Sequence, residues 1–148
     1  MLEGFQPIQK HRTMKTKPVL EFADVQTIAA AAQAEAVKNN WAVSIAIVDD
    51  GGHLLSFQRL DGAAPISSHI APGKARTAAI GQRETKVYED MINGGRVSFL
   101  SAPDLNAMLE GGVPIMKDGQ CLGAVGVSGV KSSEDAQIAK AGIAAIGL

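Results

Sequence analysis

Residues 41 to 60 read WAVSIAIVDDGGHLLSFQRL. Two short runs, 41 to 48 and 53 to 60, are rich in β-branched, aromatic and long aliphatic residues and flank Asp49-Asp50-Gly51-Gly52. Glycine enters the positive-φ conformations of tight turns without a Cβ penalty, so the stretch predicts an antiparallel hairpin. Residues 113 to 129, VPIMKDGQCLGAVGVSG, repeat the pattern, with Asp118-Gly119 as the turn between Val113–Lys117 and Gln120–Val127. Gly123, Gly126 and Gly129 leave little side chain at three evenly spaced points, where a helix or a ligand can approach the backbone closely.

Helical patterns surround the hairpins. From Phe22 to Lys38, Val25, Ile28, Ala29, Ala32 and Ala36 recur at three- and four-residue spacing among strong helix formers, and Asn39-Asn40 ends the run. Ala63 to Asn93 is helical in composition, but Pro72-Gly73 predicts two segments with a bend, because proline has no N–H for the helical ladder. Gly94-Gly95 closes that stretch, residues 96 to 101 read as a short strand or loop, and APDLNAML at 102 to 109 as one or two helical turns. Ser132 or Ser133 is placed to cap a last helix, Glu134 to Ile146, with Glu134 and Asp135 in its first turn. The order helix, hairpin, helix, hairpin, helix predicts an α+β domain, an antiparallel sheet with helices packed on it, and not a doubly wound sheet.

With 148 residues, 46% of them hydrophobic and 20% charged, the chain has enough apolar side chains for one core. Its 14 basic and 15 acidic residues are interspersed, so no footprint for nucleic acid or an anionic membrane emerges. No run is long and apolar enough for a secretory signal or a membrane span, and Cys121 is alone, which points to a reducing, cytoplasmic setting. Residues 1 to 18 read as a disordered leader before one domain at 19 to 148, with the start at Met1 or Met14 left open.

His11, His53 and His69 are too dispersed for a metal site. APGKART at 71 to 77 lacks the glycine and the hydroxyl residue of a phosphate loop, and GAVGVSG follows no dinucleotide-binding pattern. Four candidate groups remain. His53 and His69 suit axial ligation of a haem or acid–base work near neutral pH. Arg59 and Asp61 share one face of a strand end, and with Lys74 they could hold a small carboxylate or a propionate through a guanidinium fork. Glu110, before Gly111-Gly112, is a candidate general base, and Ser128 a hydrogen-bond donor. Each also has a purely structural reading, as turn residue, surface ion pair or solvated cation.

The blocks AIVDDGGHLLSFQRLDGA (46 to 63), KARTAA (74 to 79), EGGVPI (110 to 115) and GAVGVSGV (123 to 130), followed by Asp135, resemble the GlcG/HbpS family, also found as the C-terminal domain of PduO-type proteins. The resemblance covers nearly all of residues 20 to 148. It implies a profilin-like α+β fold with a five-stranded antiparallel sheet, and dimers that build hexamers or octamers. It also implies small-molecule binding, with haem or a related tetrapyrrole as the leading ligand. The alternative is a cofactor-independent hydrolase, deaminase or isomerase acting on a small carboxylate in a catabolic pathway, with Arg59, Lys74 and Glu110 as its catalytic set. Pro72-Gly73 departs from the family, where an uninterrupted helix is usual before the lysine block.

Overall fold

The computed structural model describes Gly4 and residues 12–148. His11 and most of the expected leader lie outside the described residues, whereas Thr16 and Lys17 reach the body of the domain. The Thr16 carbonyl accepts from the Gln120 side chain, and Lys17 pairs with Asp50.

The elements are α1 (Phe22–Lys38), β1 (Ser44–Asp49), β2 (Leu54–Arg59), α2 (Ser67–Gly81), α3 (Thr85–Asn93), a 3-10 helix (Val97–Ser101), β3 (Gly112–Lys117), β4 (Gln120–Ser128) and α4 (Ser132–Ala144). The strands form one antiparallel sheet in the order β2-β1-β4-β3. Both hairpins fall where the turn residues place them. In the first, the Asp49 carboxylate accepts the backbone N–H groups of Gly51 (2.9 Å) and His53 (3.0 Å), and Gly52 takes a φ of 81°. In the second, Asp118 and Gly119 both have positive φ, 50° and 77°, the signature of a two-residue turn matched to strand twist.

Both faces of the sheet are covered, by different chemistry. On one face α1 and α4 bring Ile28, Ala32, Ala36, Ile138 and Ile143 against Ile45, Ile47, Ile115, Val125 and Val127. On the other, α2 lays Ala71, Ala75, Ala78 and Ala79 over Ala46, Val48 and Ala124. That second layer is close because Gly126 lies beneath it: a Cβ there would stand 2.2 Å from the Ala71 carbonyl oxygen and 2.4 Å from the Ala75 nitrogen. Of the three evenly spaced glycines, Gly126 is the one approached by α2, whereas Gly123 and Gly129 lie against the backbone at Val48 and Ala42.

Several expectations are corrected. The sheet has four strands, not five. Residues 97–101 wind into a 3-10 helix, with Phe99 stacked on Tyr88 at 5.2 Å, and Pro114, which has no N–H to offer a further strand, lies in the edge strand β3. Pro72 does not divide α2, which runs unbroken from Ser67 to Gly81. Lying early in the helix, Pro72 deprives only the Ser68 carbonyl of its partner, and the fit of Ala71 and Ala75 on the sheet outweighs that loss. The break comes instead at Gln82, which adopts the left-handed conformation. Residues 102–109 are not helical: Asp104 and Ala107 have positive φ, and Thr77 clasps Asn106, donating to its carbonyl (2.5 Å) and accepting its N–H (3.1 Å). The serines do not cap α4. Both lie inside it, Lys131 precedes it, and the Glu134 carboxylate accepts the Lys131 N–H at 3.2 Å. The helix ends at Ala144 rather than Ile146.

Candidate functional site

Because α2 packs over the central strands and α1 leans on α4, the edge strand β2 is left partly uncovered. An open trough of about 580 Å³ runs between α1 and β2, walled by Phe22, Val25, Ala29 and Ala30 on the helix and by Leu55 and Phe57 on the strand. Gln58 ties the two walls together by donating its side-chain amide to the Ala29 carbonyl at 3.0 Å. At Gln33 the trough meets a second hollow of about 430 Å³, which continues past Trp41 and Leu60 to Asp61. Phe22 is 75% exposed and Phe57 38%, so the trough offers large apolar surface to solvent. Surface of this kind marks ligand or partner binding.

The structure places none of the sequence candidates in the lining of the trough itself. Asp61 lines the adjoining hollow, and Arg59, exposed, is the last residue of β2. His53 stands at the opposite end of the same strand, about 20 Å away at the usual rise per residue. It is largely exposed, with Nδ1 3.1 Å from the Asp49 carboxylate. Burial raises the Asp49 carboxyl, but the backbone N–H groups of His53 and Gly51 and the His53 ring together hold it below its ordinary value. His69 is exposed on α2, two residues after Ser67, whose hydroxyl lies 2.7 Å from that of Ser44. Ser44 pairs with both Arg59 and Ser128, which puts Ser128, nearly buried, in one cross-strand row with Arg59.

Lys74 lies inside the protein. Its side chain is 3% exposed and its ammonium donates to the Asp135 carboxylate and the Val127 carbonyl, each at 3.0 Å. The other Asp135 oxygen accepts the Val130 N–H at 3.2 Å. Burial pushes the Asp135 carboxyl up to about 6, against the pull of Lys74. Gly111 makes room for the pair, since a Cβ at that position would come within 2.7 Å of Lys74 Nζ. Glu110 is turned toward α3, where its N–H donates to the Glu89 carboxylate at 2.8 Å. Arg59, Lys74 and Glu110 thus occupy a strand end, the interior and the α3 side. Among the described residues no three His, Cys, Asp or Glu side chains are grouped to hold a metal ion, and no helix is long and apolar enough to cross a membrane.

Sequence reasoning missed the α1 wall of the trough. Its signal was there: Phe22, Gln26, Ala29, Ala30 and Gln33 form a helical stripe beside the buried stripe of Val25, Ile28, Ala32 and Ala36. Asp135 as the partner of Lys74 was also missed, because 61 residues separate them and no local pattern links them.

A helix-covered antiparallel sheet with an open apolar trough along one edge strand defines a small α+β domain with an accessible apolar surface. The chain belongs to the HbpS-like family: the family model described as haem degrading protein HbpS-like matches residues 20–144. It is 59% identical over 115 residues to Protein GlcG of Escherichia coli K12, covering 78% of this chain and 85% of that protein. It is 31% identical over 142 residues to the corrinoid adenosyltransferase PduO of Salmonella typhimurium, covering 93% of this chain but only 42% of that protein. Among solved structures, the PduOC:heme complex is 31% identical with a TM-score of 0.77, covering 86% of this chain and 95% of the other. HbpS is 30% identical with a TM-score of 0.81, covering 94% and 99%.

Proposed function

We propose that the chain binds haem or a related tetrapyrrole in the trough between α1 and β2, as a homo-oligomer in the cytoplasm. The observation that carries this reading is the trough itself, large, apolar and open, on a domain whose relative PduOC was solved as a haem complex. The residues present suit the group. Phe22, Val25, Ala30 and Phe57 offer apolar contact to a flat macrocycle, Arg59 and His53 border the lining at the two ends of β2 as candidate propionate and axial partners, and His69, a further candidate, stands on α2 over the other face of the sheet. Leu54, exposed at the start of β2 and outside the trough lining, supports assembly of subunits through this edge. Helices on both faces of an antiparallel sheet support a profilin-like classification. The catalytic alternative, with Arg59, Lys74 and Glu110 acting on a small carboxylate, has less support, because the Lys74 ammonium is buried and engaged.

Titration with hemin tests the reading. The wild-type protein should give a saturable, stoichiometric Soret shift. Ala30→Trp, a change on the exposed wall of the trough, should weaken binding about tenfold or more by filling the space. His53→Ala and His69→Ala then name the ligand: loss of the shifted band in one of them identifies it. A non-saturating response from the wild type, or full affinity in Ala30→Trp, would overturn the assignment.

A further inference from the structure

A further cavity, sharing no lining residue with the trough, lies between α3, the 3-10 helix and the 102–109 segment. It measures about 460 Å³ and is walled by Ile92, Leu100, Leu105, Ala107, Met108 and Leu109. This falls within the range of small-molecule sites. The polar groups that line it are the Glu89 carboxylate and the amides of Asn93 and Asn106, and no lysine, arginine or histidine is among the lining residues. Glu89 is fixed in place: one carboxylate oxygen accepts the Glu110 N–H at 2.8 Å. The nearby ammonium, Lys86, sits against Asp90 at 3.0 Å and is also under the influence of Glu110 and Glu89, so three carboxylates share it. Glu89 is the one charged side chain among the lining residues, with Arg96 over Phe99 and Arg83 over Tyr88 held on aromatic rings nearby.

We propose that this cavity is a second binding site, specific for a small apolar amine: a hydrocarbon body enters among Leu100, Leu105, Met108 and Leu109, and its ammonium meets Glu89. The Glu89 carboxylate sets it apart from the trough, whose lining carries no charged side chain. The wall is also formed at a conformational cost, since Ala107 holds a φ of 47°, which alanine rarely adopts. Thr77 keeps the segment in that shape through Asn106.

The test uses the intact protein at neutral pH, with n-hexylamine, n-hexanol and hexanoate as probes of equal chain length, and the Met108 methyl resonance as the readout. Hexylamine should shift that resonance saturably, and hexanoate should bind about tenfold or more weakly, the ratio expected of one charge-complementary contact. Glu89→Gln keeps an acceptor for the Glu110 N–H but removes the charge. It should bring hexylamine and hexanol to within about threefold of each other while leaving hexanol affinity unchanged. A linear, non-saturating response at Met108, equal binding of hexanoate, or an amine preference that survives in Glu89→Gln would each overturn the proposal.

Discussion

Replacing Lys74 by methionine removes the ammonium from a site where almost no solvent can take its place. The Asp135 carboxylate, 2% exposed, is then left with the Val130 N–H as its remaining partner among the described contacts. Breaking a buried pair from one side typically costs about 3–5 kcal/mol. Asp135→Asn strands the ammonium instead and falls in the same range, while the asparagine carbonyl still accepts from Val130. The double variant leaves no buried charge and keeps the volume of both side chains nearly constant. It should therefore be far more stable than the sum of the single losses, with a coupling of about 3 kcal/mol or more. The pH dependence supplies a second check. Asp135 already sits at about 6 with the ammonium beside it. Without the cation its pKa rises further and the carboxyl takes up a proton near neutrality, so Lys74→Met should lose less stability at pH 5 than at pH 8. Urea unfolding followed by Trp41 fluorescence measures all four proteins. Additive single losses, or a Lys74→Met penalty equal at pH 5 and pH 8, would refute the argument.

Gly126→Ala puts a methyl group within 2.2 Å of the Ala71 carbonyl oxygen on a backbone that cannot yield locally, and should destabilise the fold by about 3 kcal/mol or more in the same urea assay. Pro72→Ala restores a donor to the Ser68 carbonyl within α2 and should stabilise by about 1–2 kcal/mol. In the wild type, the rise of the Asp135 carboxyl from 3.8 to about 6 means that the folded state holds this proton more tightly than the unfolded chain does. That contribution, about 3 kcal/mol, is complete below pH 4 and is lost as pH climbs through 6, so wild-type stability minus that of Asp135→Asn should fall across this interval.

What was legible in the sequence is what short-range chemistry decides. The bounds of α1 follow from an alanine-rich periodic run and from Asn40, which takes the left-handed conformation just after it. The hairpins follow from Asp-Gly and Gly-Gly turns, and the α+β layering from their order. Pro72 misled because its intrinsic penalty was weighed without the small-residue contacts of Ala71 and Ala75. Residues 102–109 misled because Asp104 and Ala107 give no sequence signal for positive φ; a distant hydroxyl, Thr77, holds the segment. The fifth strand came from the family resemblance, with residues 96 to 101 legible as a short strand or loop, whereas the two hairpins by themselves gave four; residues 97–101 of that segment are the 3-10 helix. Arg59 and Asp61 were singled out because they alternate at one strand end; in the structure Asp61 lines the hollow beside the trough and Arg59 lines neither. The α1 wall was not singled out, because exposure depends on which part of a helix its neighbours leave bare.

The trough and the buried ion pair are linked through the placement of α2. Gly126 lets the α2 backbone settle over β4, and Lys74, one turn after Ile70 on the same helix, reaches down to Val127 at the end of that strand and to Asp135 in the first turn of α4. A helix held over the centre of a four-stranded sheet cannot also cover its edge. With α1 and α4 packed side by side on the opposite face, β2 keeps Leu55 and Phe57 accessible and the trough stays open. In the proposed reading Lys74 acts on ligand binding through geometry rather than contact. A Lys74→Met/Asp135→Asn protein that folds with α2 in place should retain the hemin affinity of the wild type, as measured by the Soret titration. A pronounced loss of affinity in that double variant, with its fold intact, would mean that Lys74 or Asp135 meets the ligand directly.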